Sequence, residues 1–299
     1  MTARISTAQT YYVSEKNVER AHERSAETFE KASSLKEVRK ASDNPLGYTL
    51  ITQMKNDLKA TDGMTQNASL GKNALALTDG ALAQIQEAVQ RAHELAVSAS
   101  SDTQTSRTQM VGEARALYDS VVQSLNTRLG DRYLFSGFQG QRPAFTPEGV
   151  FQGDSSALRI EIEPQHFVSI NPDTPKLILG QEGAEKTGVN ILGSLQQFVV
   201  GLAHDDVSMI RGTLDDLMKA NDQLSLGRSE IGSALQAIDR SNQNESLRQT
   251  DEREALSKIE EADAAKVFSQ MSRDAAALKA ALASSEKFLS NSPVDILFR

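Results

Sequence analysis

The sequence predicts a mainly α protein with a small β insert: a long antiparallel helical bundle or coiled coil built from both termini, plus an outward β-rich domain. Three observations carry this. Gly and Pro make up only about 8% of the 299 residues, against an average near 12%. Nine of the 18 glycines, five of the seven prolines and six of the 15 aromatics fall between Gly130 and Gly193. On either side of that stretch, apolar residues recur at alternating three- and four-residue spacings along breaker-poor arms.

At the start of the chain Ile5, Tyr12, Val18, Ser25, Phe29 and Leu35 form a thin apolar stripe diluted by charges. Ser42-Asp43-Asn44-Pro45 reads as a helix start, with Asn44 at the cap and proline in the first turn, where a missing N–H costs nothing. Leu75, Thr78, Leu82, Ile85, Val89, Ala92, Ala96 and Ala99 occupy one stripe of the helix that follows. Ser98 to Thr105 is a polar break. Val111, Ala114, Tyr118, Val121 and Leu125 then form a second stripe that ends near Gly130, read as a C-cap glycine. Two stripes joined by a short polar link predict an antiparallel hairpin.

The insert reads as β structure. Leu158, Ile160 and Ile162 alternate with Arg159, Glu161 and Glu163, a period of two with one buried face. Phe167 to Ile170 and Lys176 to Leu179 are two further candidate strands, punctuated by Gly153-Asp154, Pro164, Asn171-Pro172 and Gly180. A twisted sheet of three or four strands is expected. Beyond it, Leu214, Leu217, Met218 and Leu224 mark another helix. Ile231, Leu235, Ile238, Leu256 and Ile259 hold one heptad phase, which falls on Asn242, Glu245, Gln249 and Glu252 in between. No Gly or Pro occurs from Ser233 to Ser292, so a long helix with a wet middle is expected. Its polar stretch is either a buried seam or a solvent-facing one. The last stripe is Val267, Met271, Ala275, Leu278, Leu282 and Leu289.

Composition excludes several functions. The net charge is −8, and no Lys/Arg-rich run offers the clustered positive surface that nucleic acid requires. There is no cysteine, hence no thiolate metal site and no cysteine nucleophile. No run of about 18 apolar residues is present to span a bilayer, and Met1 to Ser6 lacks the apolar core of a secretory signal. His93-Glu94 begins like a metalloprotease helix, but Val97 stands where the second histidine belongs, so His93 reads as a helix-surface residue. His204-Asp205-Asp206 reads as an acidic loop and helix cap. Glu260-Glu261-Ala262-Asp263 reads as a solvated helical face. No nucleophile is paired with a base, so no enzymatic activity, metal or cofactor is expected.

Several stretches resemble the flagellin superfamily. They are Arg4-Ile5-Ser6-Thr7 with Tyr11-Tyr12, Ser42-Asp43-Asn44-Pro45, Leu77-Thr78-Asp79-Gly80-Ala81-Leu82 and His93-Glu94-Leu95-Ala96-Val97, with Ser257-Lys258-Ile259-Glu260-Glu261-Ala262-Asp263 near the end. Asn126-Thr127, Tyr133 to Phe138, Pro143-Ala144-Phe145 and Phe151 to Asp154 are similar to its hook–filament junction members more than to filament flagellin. The chain departs from the pattern at Asn44, where a second Asp is common, and after Ser290, where Pro293 interrupts the usual close.

The resemblance implies a division of labour. Residues 1–40 and 265–299 would be a terminal coiled coil, 45–130 and 195–262 a helical rod, and 131–194 a small outer domain that the arms do not need for folding. It implies a structural subunit joining hook to filament, exported by the flagellar type III apparatus without a cleaved signal and located in the extracellular flagellum. The partners implied are further copies in a homo-oligomeric ring, a hook-side junction protein, flagellin and an export chaperone. A filament flagellin is the alternative, and a cytosolic coiled-coil adaptor or chaperone the third reading. Neither terminal stripe can be buried alone. They could bury each other within one chain, or matching ends in neighbouring copies. On the second reading Ile5, Tyr12, Val18, Phe29, Leu35, Val267, Met271, Leu278, Leu282 and Leu289 are the expected assembly interface, ordering only against neighbouring subunits.

Overall fold

A computed structural model describes residues 2–101, 107–183 and 185–290. In order the elements are helices α1 (Thr2–Ser34), α2 (Pro45–Ala99) and α3 (Arg107–Leu125), then strands β1 (Arg128–Leu129), β2 (Arg132–Tyr133), β3 (Arg159–Glu163), β4 (His166–Ser169), β5 (Gln181–Glu182) and β6 (Glu185–Lys186), and finally helices α4 (Ile191–Ala203), α5 (Val207–Glu260) and α6 (Ala264–Ser290). The chain forms two compact units, residues 1–59 with 248–299, and residues 60–247.

The unit of residues 60–247 is organised around the α2 stripe. Leu75, Thr78, Leu82, Ile85, Val89, Ala92, Ala96 and Ala99 are each essentially inaccessible, so the three-four spacing marks the buried face correctly. α3 runs antiparallel to α2, with Ser124 bonded to Gln84 and Arg91 to Glu113. α5 also runs antiparallel to α2. Lys72 meets Asp239, and Arg228 spans both Asp79 carboxylate oxygens and Gln86. Arg107 closes the end of α2: its guanidinium donates to the carbonyls of Ala99 and Ser101 and pairs with Asp205 at 2.8 Å. The last carbonyls of a helix have no partner within the helix, and Arg107 supplies one to Ala99.

The insert differs from its expected form. Its strands make three separate two-stranded antiparallel ladders rather than one sheet. Lys176 to Leu179, read as a strand, lies in a π-helical turn, Pro175–Leu179, that ends on Gly180 at φ 63°. The apolar run there is buried on a tight turn, and a four-residue run cannot tell that from a buried strand. Gly130 caps no helix. α3 has already ended at Leu125, and Gly130 takes φ 60° in the β1–β2 turn. Nor does the stretch 131–194 separate as a body of its own. Phe135, Phe145, Ile162, Val168, Leu177 and Ile178 join the same buried cluster as the α2, α3, α4 and α5 stripes. Ser241 on α5 donates to the Ile162 carbonyl, and Gln223 donates to the carbonyls of Leu177 and Val189. A Cβ on Gly71 would strike the side chains of Ile160 and Ile170, so α2 and the β3–β4 hairpin touch where only glycine fits.

In residues 1–59 with 248–299, α1 packs along α6. The expected long helix is broken: α5 stops at Glu260 and α6 starts at Ala264, with Asp263 accepting from the Lys266 N–H as its cap. The heptad polar stretch is not solvent-facing. Glu245 is buried, and Asn242, Gln249 and Glu252 are half-buried. At the start of α2, Asn44 Oδ1 accepts from the Gly47 N–H at 2.9 Å, the cap expected before Pro45.

Candidate assembly surface

The unit of residues 1–59 with 248–299 has little core. Among the described residues, Ala21, Ala32, Val38, Ile51, Leu58 and Val267 are its buried apolar ones. The same unit exposes Tyr12, Phe29, Leu46, Phe268 and Leu282, each at 50% or more. Side chains of that size are worth roughly 1.5–3 kcal/mol each when covered. Covering these side chains would supply apolar driving force that the single chain leaves unused.

The interface expected from the sequence divides as follows. Val267 is buried, Val18, Met271 and Leu278 are half-buried, and Tyr12, Phe29, Leu35 and Leu282 are exposed. The side chains of Ile5 and Leu289 lie outside the described residues, as does Pro293. Most of the described α6 stripe is therefore covered, whereas most of the described N-terminal stripe is not. Tyr12, Lys16, Arg20 and Glu23 line a shallow groove along α1, where Lys16 also pairs with Glu19 at 2.6 Å.

Sequence reasoning missed Leu46, Leu50 and Phe268. A signal existed: on a helix Leu46 and Leu50 share a face while Ile51 turns away, and Ile51 is the buried one. It also misread Glu260. That residue is buried, and its carboxylate accepts from Lys36 at 2.6 Å and from Lys55 at 2.7 Å. Burial pushes the Glu260 carboxyl up, but the two lysines outweigh it and hold it below the ordinary carboxylate value. Both lysines lie roughly 200 residues away in sequence, so no local pattern announces the cluster.

The remaining polar candidates are occupied in other ways. His204 Nδ1 lies 2.9 Å from the Val200 carbonyl, Asp205 pairs with Arg107, and Asp206 caps α5 through the Met209 N–H. Among the described residues no group of three His, Asp or Glu could hold a metal ion. His93 is half-buried rather than on the surface, and its Nδ1 is enclosed without a hydrogen-bond partner.

These features, paired terminal helices with an exposed apolar face and a buried antiparallel helical core, define a mainly helical protein, and its N-terminal part is similar to flagellin. Residues 5–139 match the bacterial flagellin N-terminal helical region. Over 166 residues the chain is 24% identical to polar flagellin F of Vibrio parahaemolyticus, a stretch covering 54% of this chain and 42% of that one. The chain thus spans less than half the length of that relative. Its fold is also similar to those of solved flagellar hook-associated proteins. A flagellar hook-associated protein from Vibrio parahaemolyticus superposes with a TM-score of 0.66 at 15% identity, covering 73% of this chain and 100% of that one. The flagellar hook associated protein-3 of Legionella pneumophila gives 0.60 at 14% identity, with 70% and 98% covered. Bacillus cereus FlgL gives 0.59 at 18% identity, with 67% and 97% covered.

Proposed function

We propose that this chain is a structural subunit of the bacterial flagellum that joins the hook to the filament and performs no reaction. The observation that carries the reading is the uncovered apolar face of residues 1–59 with 248–299, led by Tyr12, Phe29, Phe268 and Leu282. A long-lived monomer rarely leaves so much large apolar surface on a unit with so small a core. A second copy, packed side by side in a ring of the axial structure, would cover it. The ends of the ring would meet a hook-side junction protein and flagellin. The subunit would travel unfolded through the flagellar type III apparatus, with an export chaperone shielding these same helices beforehand, and would end outside the cell. No described helix is long and apolar enough to cross a membrane.

A filament flagellin is the second reading, favoured by the partial likeness to polar flagellin F. Copy number separates the two. Quantifying the chain in purified hook–basal bodies and filaments should find about one helical turn of copies, confined to the hook's distal end. Thousands of copies along the filament would make it a flagellin instead.

A further inference from the structure

Two helix breaks lie side by side in the unit of residues 1–59 with 248–299. α1 gives way to α2 across residues 35–44, and α5 to α6 across residues 261–263. Neither stretch contains glycine or proline. The breaks hold each other: the Glu37 N–H donates to the Glu260 carbonyl at 2.8 Å, and the Ala262 N–H donates to the Leu35 carbonyl at 2.9 Å. Leu35 takes φ 52°, a conformation that ends α1 and turns its carbonyl to that partner. Beside this bridge sits the Glu260 carboxylate, 9% exposed, bonded to Lys36 from the first break and Lys55 from α2. Arg39 reaches back to Glu30 and Lys31 to Glu37, which ties the last turns of α1 to the same place.

We infer that the Leu35–Glu37/Glu260–Ala262 bridge and the Lys36–Glu260–Lys55 cluster form a latch that keeps α1 and α6 closed as one piece. Both helices connect to α2 and α5 only through the bridged breaks, so neither can leave without breaking the shared hydrogen bonds. Among the described residues of α1 and α6, Ala21, Ala32 and Val267 are the buried apolar ones, so the pair packs along its length with little apolar core to hold it once the latch is lost. Glu260 is the keystone because one buried carboxylate serves both lysines. Losing its charge removes both ion pairs at once, and the two lysines, each about 46% exposed, turn to solvent instead of closing on the bridge. Glu260 acts here as a positioning residue, and the inference stands apart from the role proposed for the assembled subunit.

Hydrogen–deuterium exchange on the full-length chain tests it, comparing wild type, Glu260→Gln, Lys55→Met and the exposed neighbour Glu261→Gln. Glu260→Gln keeps the side chain's volume and removes its charge. It should speed exchange at least tenfold at Glu37, Ala262 and the amides of both α1 and α6, with α1 and α6 rising together. Amides at Ile85, Val121 and Leu195 should not change. Lys55→Met should produce the same block with a smaller increase, and Glu261→Gln should produce none. The inference is overturned if α1 accelerates without α6, if Glu260→Gln and Glu261→Gln behave alike, or if Ile85, Val121 and Leu195 accelerate equally. Should Glu260→Gln fail to fold, Lys55→Met decides on the same criteria.

Discussion

At the scale of single residues, Leu35 and Glu260 carry the most physical tension. A leucine at φ 52° is held where its Cβ crowds the following carbonyl, at a cost of order 1–2 kcal/mol. Leu35→Gly should therefore stabilise the terminal unit by up to about 1 kcal/mol, the relief being reduced by glycine's greater freedom in the unfolded chain. Leu35→Val should destabilise it by a similar amount, since a branched Cβ tolerates that region worse. Urea titration followed by circular dichroism reads both. For Glu260 the sign follows from its lowered carboxyl. A carboxyl that is more acidic folded than unfolded stabilises above the unfolded value of about 4.3, and that contribution fades as pH falls through the folded value. The terminal helices should hold unchanged from pH 7 to about 5 and loosen below about 4, and Glu260→Gln should flatten this dependence. An equal slope in wild type and variant would assign the acid sensitivity elsewhere.

At the scale of elements, α2 ends on an arginine from the next helix. Arg107 is buried and satisfies two carbonyls while pairing with the exposed Asp205. Arg107→Ala should cost about 2–4 kcal/mol, because it removes charge-assisted bonds from a buried guanidinium to two carbonyls and a carboxylate. Asp205→Ala should cost less than 1 kcal/mol, its charge being largely in water. The insert reverses an expectation from the sequence. Because Phe135, Phe145 and Ile178 are fully enclosed in the common core, replacing residues 135–190 by a Gly/Ser linker should abolish the cooperative melt of residues 60–247. A retained sharp transition in that variant would restore the insert as an independent domain. α4 shows a missed local signal: Asn190 accepts from the Gly193 N–H ahead of a strongly apolar helix, a cap that could have been read directly.

At the scale of the whole molecule, one unit has a well-filled core and the other does not. Removing residues 267–299 deletes the partner of α1 while leaving α3, α4 and the buried cluster of residues 60–247 untouched. That variant should keep the main thermal transition within about 2 °C and should lose more helical signal than α6 alone supplies, because α1 frays with it. It should also fail to join hooks when added to cells lacking the native chain. Full joining by the truncated chain would remove the terminal helices from the assembly surface.

The sequence by itself determined the long-period features. The α2 stripe, the Asn44 cap, the β3–β4 alternation and the location of the turn-rich stretch were all legible, because each depends on neighbours three or four residues away or on a period of two. The tertiary structure alone decided where the C-terminal helix breaks, what Glu260 does and whether the insert stands apart. Each of these depends on partners from distant parts of the chain. Lys36 and Lys55 meet Glu260, Leu35 meets Ala262, and Ile162 meets Ser241. A glutamate in a helical charge run reads as solvated until folding places two lysines beside it and withdraws the water. Breaker residues are the local sign of a helix end, and here a backbone bridge from the far end of the chain takes their place.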